Sequence, residues 1–162
     1  VNSFSKYFGM TGWRIGWLVL PEHLVRPVER LAQSLYISPS SIGQHAAIGA
    51  LAGAEELDRR VRAFARNREV LLEALPAMGI SEIAPPDGAF YLYADISRFG
   101  LDAVTFCDRL LADTGVAITP GDDFDDVRGS RYVRLSFAGS AEMIDQAIER
   151  LGPWLAQLER GS

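Results

Sequence analysis

The sequence predicts an α/β fold, and three observations carry that prediction. Residues 89–96 and 132–137 alternate apolar and polar side chains with the period of two that a strand requires. Between and around them, apolar residues recur at helical three-to-four spacing. Capping residues and glycines sit where those patterns change: Asp102 and Ser140 before helical runs, Gly79 and Gly115 after them. The chain has 162 residues, the length of about one ordinary domain, and is 48% hydrophobic, so it can bury a sizeable core.

The elements follow in order. Residues 13–20 read as a strand covered on both faces, because Trp13, Ile15, Trp17 and Val19 and the intervening Leu18 and Leu20 are all apolar. Pro21 ends it, and residues 22–35 read as a short helix. "SPSS" at 38–41 breaks the chain and starts a long helical stretch, roughly 41–76, which Gly53 weakens or interrupts. Its second half places Leu57, Val61, Phe64, Leu71, Leu72 and Leu75 on one face, with arginines spread over the rest. "AFYLYADI" is a strand with Phe90, Leu92, Ala94 and Ile96 on one side. Asp102 caps a helix whose stripe is Val104, Cys107, Leu110 and Leu111. "VAITPG" is a short strand and turn. "YVRLSF" sets Val133, Leu135 and Phe137 against Tyr132, Arg134 and Ser136. A last helix, capped by Ser140, turns Met143, Ile144, Ala147, Ile148, Leu151 and Leu155 inward. Residues 77–162 make a self-sufficient α+β layer, whereas the strand at 13–20 has no neighbour close in sequence.

Charge and cysteine usage narrow the function. The net charge of −5, with no block of like charges, argues against nucleic acid as a partner. Small anions need only one or two placed cations. The single cysteine excludes a disulfide framework, and a cytoplasmic setting follows most simply. No apolar run approaches the ~18 residues of a membrane span. His23 and His45 stand without clustered ligands, so no metal is expected. The chain starts with Val1 rather than Met, inside a motif-like stretch, which suggests the C-terminal part of a longer protein.

That stretch, "SFSKYFGMTGWRIGW", concentrates the chemistry. A lysine among apolar groups loses part of its preference for charge, and a neutral amine is a nucleophile that forms Schiff bases. Lys6 is the candidate, against the plain alternative of a solvated loop lysine. Arg14 heads the apolar run, and no acidic residue lies between Val1 and Pro21. Its partner is therefore distant in sequence or is a ligand. With Ser3, Ser5, Thr11 and several glycine amides it makes a neutral-to-positive surround that suits phosphate. A nucleotide loop is excluded in detail, since neither G-x-G-x-x-G nor G-x-x-x-x-G-K-[ST] occurs. Arg134, in mid-strand, is either an edge-strand charge or a bidentate fork for a carboxylate.

These residues resemble a known family. "NSFSKYFGMTGWRIGWLVLP" is similar to the lysine-loop signature of class I/II aminotransferases, pyridoxal-phosphate enzymes of fold type I, which reads roughly S-x-S-K-x₇-R-x-G. Further pieces follow in the family's order: "SPSSIGQHAAIGAL" resembles the opening of the long interdomain helix, and "PPDGAFYLYADIS" the glycine-aromatic strand of the small domain. "VAITPGDDF" is similar to the V-x-P-G-x-x-F turn and "YVRLSFA" to the R-[IL]-S-x-[AS] strand. The resemblance spans essentially the whole chain. It implies residues 1–40 as the remnant of the cofactor-binding large domain with its last strand, 41–76 as the interdomain helical connector, and 77–162 as the small α+β domain.

The same resemblance implies pyridoxal 5'-phosphate as cofactor, held by Lys6 as an aldimine, with Ser3 and Arg14 on its phosphate and Ser5 a further cofactor-binding residue. Arg134 is implied to clamp the substrate's α-carboxylate. Implied partners are an amino acid, a 2-oxo acid and a second copy in a homodimer. A lyase or decarboxylase on the same fold is the alternative, as is a truncated, non-catalytic fragment, and alone the chain is expected to be inactive. Some aspartate-specific relatives place an arginine near the start of the long helix. Here "SSIGQHAAI" offers only His45, which weakens a dicarboxylate reading. Tyr36, Phe90 and Tyr91 are candidates for a side-chain pocket, with core the preferred place for Phe90.

Overall fold

A computed structural model describes residues 1–161. The chain forms two compact units, Val1–Val61 and Arg62–Ser162.

In the first unit, β1 (Asn2–Ser3) pairs antiparallel with β2 (Gly16–Trp17), Asn2 opposite Trp17 and Ser3 opposite Gly16. The predicted strand at 13–20 thus shrinks to two residues. Trp13 closes a short 3-10 turn, Thr11–Trp13, and Arg14 adopts a left-handed backbone with φ 54°. A strand persists only where its N–H and C=O groups find partners, and among the described residues ladder pairing is confined to Asn2–Ser3, with the Phe4 amide adding one bond to the Ile15 carbonyl. In this chain Trp17 and Leu18 are exposed and Val19 is 80% exposed. Helix α1 (Glu22–Tyr36) carries an apolar stripe yet buries no residue. The long helical stretch divides into α2 (Ser41–Leu51) and α3 (Ala54–Ala77), with the break at Ala52–Gly53. Ser40 caps α2 by accepting from the Gly43 amide. The unit's small core is Phe4, Met10, Ile15 and Ala47.

The second unit holds the larger core. Strands β3 (Tyr91–Asp95), β4 (Thr119–Pro120) and β5 (Tyr132–Ser136) form an antiparallel sheet in the order β3-β5-β4. One face presents Leu92, Ala94, Val133 and Leu135 to α3, α4 (Ala103–Thr114) and α5 (Ala141–Gly161). Asp102 caps α4 by accepting from the Thr105 amide at 3.0 Å, and Gly115 ends it with φ 73°. Gly79, after α3, has φ 92°, a conformation that side chains with a Cβ rarely adopt.

The predicted helix faces need rotation. In α4 the buried stripe is Ala103, Phe106, Cys107 and Leu110, while Val104 and Leu111 face solvent. In α5, Ile144, Leu151 and Leu155 are buried as expected, Met143 is exposed, and Trp154 joins the core with its indole N–H donating to Asp113 at 2.8 Å. Val61 is likewise exposed on α3. Burial and neighbouring carboxylates push the Cys107 thiol up to about 11, so it is an inert core residue rather than a nucleophile. Among the described residues no helix is long and apolar enough to cross a membrane.

Candidate active site

The hairpin formed by β1 and β2 gathers the polar residues of the lysine loop. The Phe4 amide donates to the Ile15 carbonyl at 3.0 Å, and the Met10 amide to the Phe4 carbonyl at 3.1 Å. Phe4, Met10 and Ile15 turn inward as anchors. Ser3 and Ser5 flank Phe4, and Arg14 precedes Ile15, so these three residues lie around one pair of anchors. Gly16 allows the closure: a Cβ there would stand 2.6 Å from the Asn2 carbonyl oxygen. Gly43 of α2 plays a similar part, since a Cβ there would meet Ile15 at 2.9 Å.

Inside the loop the donors are ordered. The Ser5 amide donates to Ser3 Oγ at 3.0 Å, which leaves the Ser3 hydroxyl proton for another acceptor. Thr11 Oγ1 donates to the Ser5 carbonyl at 2.9 Å, and Arg14 Nη1 to the Thr11 carbonyl at 2.9 Å. Lys6 is exposed, and its carbonyl accepts from the Gly9 amide at 2.9 Å, forming a tight turn just past the lysine. Next to it, Tyr7 donates to Asp58 Oδ1 at 2.7 Å, tying the loop to α3. That hydrogen bond, with burial and the Asp58 charge, raises the Tyr7 phenol above its usual range.

Arg14 is exposed rather than buried, which corrects the expectation for the head of a strand. Its left-handed backbone costs about 1–2 kcal/mol for a residue with a Cβ. Among the described residues no carboxylate pairs with it. A guanidinium held in a strained backbone, beside two serines and with no protein anion, fits a phosphate group. The loop's donors thus suit a phosphate, and Lys6 is the primary amine the same loop carries.

In the second unit, the structure removes the edge-strand reading of Arg134. Its strand, β5, is the central one, with Arg134 opposite Tyr93 on β3 and Thr119 on β4. The guanidinium carbon lies 4.2 Å from the centre of the Tyr91 ring and 4.1 Å from that of Phe124, and Nη2 reaches Thr119 Oγ1 at 3.5 Å. Tyr91, Tyr93, Phe124, Asp125, Asp126, Val127 and Arg134 line a cavity of about 560 Å³. No carboxylate pairs with Arg134 among the described residues. A central-strand cation, partly desolvated and facing a cavity, calls for an anionic ligand.

The sequence missed Phe124 and Thr119 as neighbours of Arg134. Alternation put Tyr91 on the Arg134 side of the sheet, but only strand order brings β4 and the following loop alongside. Phe90 packs against the core, and Tyr36 is exposed. Tyr93 stacks on Tyr132 with centroids 4.9 Å apart, and its buried hydroxyl finds no hydrogen-bond partner among the described residues. Burial, then Asp125 and Tyr132, raises that phenol above its usual range.

Comparison with known proteins converges on one family. The family described as Aminotransferase class I and II matches residues 1–151. A valine–pyruvate aminotransferase of Mycobacterium tuberculosis is 50% identical over 157 residues, 96% of this chain and 40% of the relative. An aspartate/prephenate aminotransferase of Thermus thermophilus is 38% identical over 154 residues, covering 93% of this chain and 39% of that protein. The crystal structure of an aminotransferase from Mycobacterium tuberculosis superposes with a TM-score of 0.94 at 50% identity, over 97% of this chain and 41% of the other. The aspartate aminotransferase structure from Thermotoga maritima gives 0.85 at 34% identity, over 96% and 39%. The chain thus spans about two fifths of the length of the relatives it matches. Hairpin, sheet and matched sequence agree: the chain belongs to the class I and II aminotransferases.

Proposed function

We propose that the full-length protein carrying this chain is a pyridoxal-phosphate-dependent aminotransferase that moves an amino group between an L-amino acid and a 2-oxo acid. The observation that carries this reading is the Ser3–Arg14 loop, where a lysine, two serines and an arginine without a protein anion are clamped on one hairpin. Lys6 would hold the cofactor covalently, and Ser3, Ser5 and Arg14 would surround its phosphate. When bound, the cofactor supplies an electron sink for the carbanion at the substrate's Cα.

The chain's own residues do the rest. With the cofactor bound, the Lys6 amine would be the base that takes the proton from the substrate's Cα. Arg134 holds the α-carboxylate through its N–H edge, which fixes which bond at Cα is broken and favours proton loss over decarboxylation. Arg14 stays on the phosphate through both half-reactions.

L-Valine and pyruvate are the first substrates to try, because the 50% identical relative bears that name. His45 as the only cation in "SSIGQHAAI" also favours a monocarboxylate. A homodimer in the reducing cytosol completes the reading, supported by the family resemblance and by a lone cysteine that is buried.

The test uses the full-length protein with L-valine and pyruvate, following alanine formation. Lys6→Ala should lower turnover by roughly three or more orders of magnitude, because its covalent and proton-transfer roles vanish together. Near-normal turnover in that variant, or ammonia release in place of alanine, overturns the proposal.

A further inference from the structure

We propose that Phe124 and Tyr91 are positioning residues that hold Arg134 as a preformed receptor for the substrate carboxylate; this rests on the carboxylate role given to Arg134 above. A free arginine side chain samples many rotamers, and a ligand must freeze them. Here two rings already stand 4.1 and 4.2 Å from the guanidinium carbon. Aromatic rings attract a guanidinium by cation–π contact and stack on its flat face. Such stacking leaves the N–H edge for a ligand, and Thr119 engages one edge nitrogen only weakly, at 3.5 Å.

The two rings come from separately fixed parts of the fold. Tyr91 begins β3 and packs on Phe90, with centroids 4.3 Å apart. Phe124 sits on the loop between β4 and β5, and that loop is held tightly. The Phe124 and Asp125 amides donate to the Gly121 carbonyl at 2.8 and 3.0 Å, and the Gly129 amide to the Asp125 carbonyl at 2.8 Å. Gly121 and Gly129 meet so closely that a Cβ on Gly121 would lie 2.5 Å from the Gly129 carbonyl oxygen. The Asp125 carboxylate accepts from the Val127 and Arg128 amides at 2.9 and 3.0 Å. The Arg128 amide, then that of Val127, holds the carboxyl below its ordinary range. Asp125 is thereby occupied in building the loop and is a poor competitor for Arg134.

Core packing does not explain Phe124. Among the described residues it lies outside the buried cluster of the sheet. A large aromatic ring 4.1 Å from a guanidinium facing a cavity is accounted for by what it does to that guanidinium.

The experiment compares wild type, Phe124→Leu, Phe124→Tyr, Phe124→Met and Arg134→Ala in the full-length protein, with 3-methylbutanoate as the carboxylate probe. Binding is measured by calorimetry and turnover with L-valine and pyruvate. Phe124→Leu should weaken probe binding and raise KM about tenfold while kcat changes less than about threefold, the size expected for one partly desolvated cation–π contact. Phe124→Tyr should restore both within about twofold, because it keeps the ring. A rescue confined to aromatic residues is not what a merely structural role gives. Phe124→Met supplies the same comparison should the leucine variant not fold. If Arg134→Ala weakens the probe and neither Phe124→Leu nor Phe124→Met does, the positioning role is overturned and the carboxylate role stands. If Arg134→Ala leaves the probe unaffected, the carboxylate role itself falls, and this inference with it.

Discussion

Asn67 lies buried on α3, where its amide nitrogen donates to the carbonyls of Phe137 and Gly139, each at 3.0 Å. Those carbonyls follow β5, so a single side chain fastens the end of the arginine-bearing strand to a helix seventy residues earlier. Replacing Asn67 by leucine keeps the volume but strips both carbonyls of their donor. The expected cost is about 2 kcal/mol, a typical penalty for unsatisfied buried acceptors, read from the urea midpoint. An unchanged midpoint would show that those carbonyls find other donors. Nothing in the sequence marks Asn67 as special, since an asparagine in a helix reads as a surface residue. Lys6 and Arg14 were legible as candidates because the S-x-S-K-x₇-R-x-G spacing is rare. The left-handed backbone of Arg14 was not, because it follows from a hairpin closed by a two-residue strand.

At the scale of elements, the β1–β2 hairpin depends on Gly16. A methyl group there would press against the Asn2 carbonyl oxygen at 2.6 Å, and backbone cannot yield as a flexible side chain can. Gly16→Ala should open the hairpin and separate Ser3 from Arg14. In the full-length protein, pyridoxal-phosphate affinity should fall by about tenfold or more, as the phosphate loses charge-assisted hydrogen bonds. Equilibrium dialysis measures this, and retained affinity would mean the phosphate site does not need the closed hairpin. The helix faces teach a related point. Heptad-like counting placed Val104, Leu111 and Met143 inward, but burial is set by which neighbour each turn meets. Phe106 and Trp154 meet edge to face, with centroids 5.0 Å apart, and their bulk sets the rotation of α4 and α5.

For the molecule as a whole, the two units rest on unequal cores. Among the described residues the buried apolar cluster of the second unit has eighteen members and that of the first has four, and α1 buries none. Because apolar burial drives folding at about 25 cal/mol per Å², residues 1–162 expressed by themselves should open their first unit far more readily than their second. Hydrogen exchange should show β1, β2 and α2 amides exchanging at least about a hundredfold faster than those of β5, as expected for a low-stability unit. Equal protection in both would overturn that ranking. By itself the sequence determined the local and the chemical: strands within 89–96 and 132–137, the caps at Asp102 and Ser140, the break at Gly53, and the lysine loop with its family spacing. Those features depend on neighbours a few residues apart. Only the tertiary structure decided that β5 is central and that Phe124 meets Arg134. It also reduced the strand at 13–20 to Gly16–Trp17. Each of these is a matter of which distant segment supplies the missing hydrogen bonds and contacts, and periodicity carries no information about distant partners.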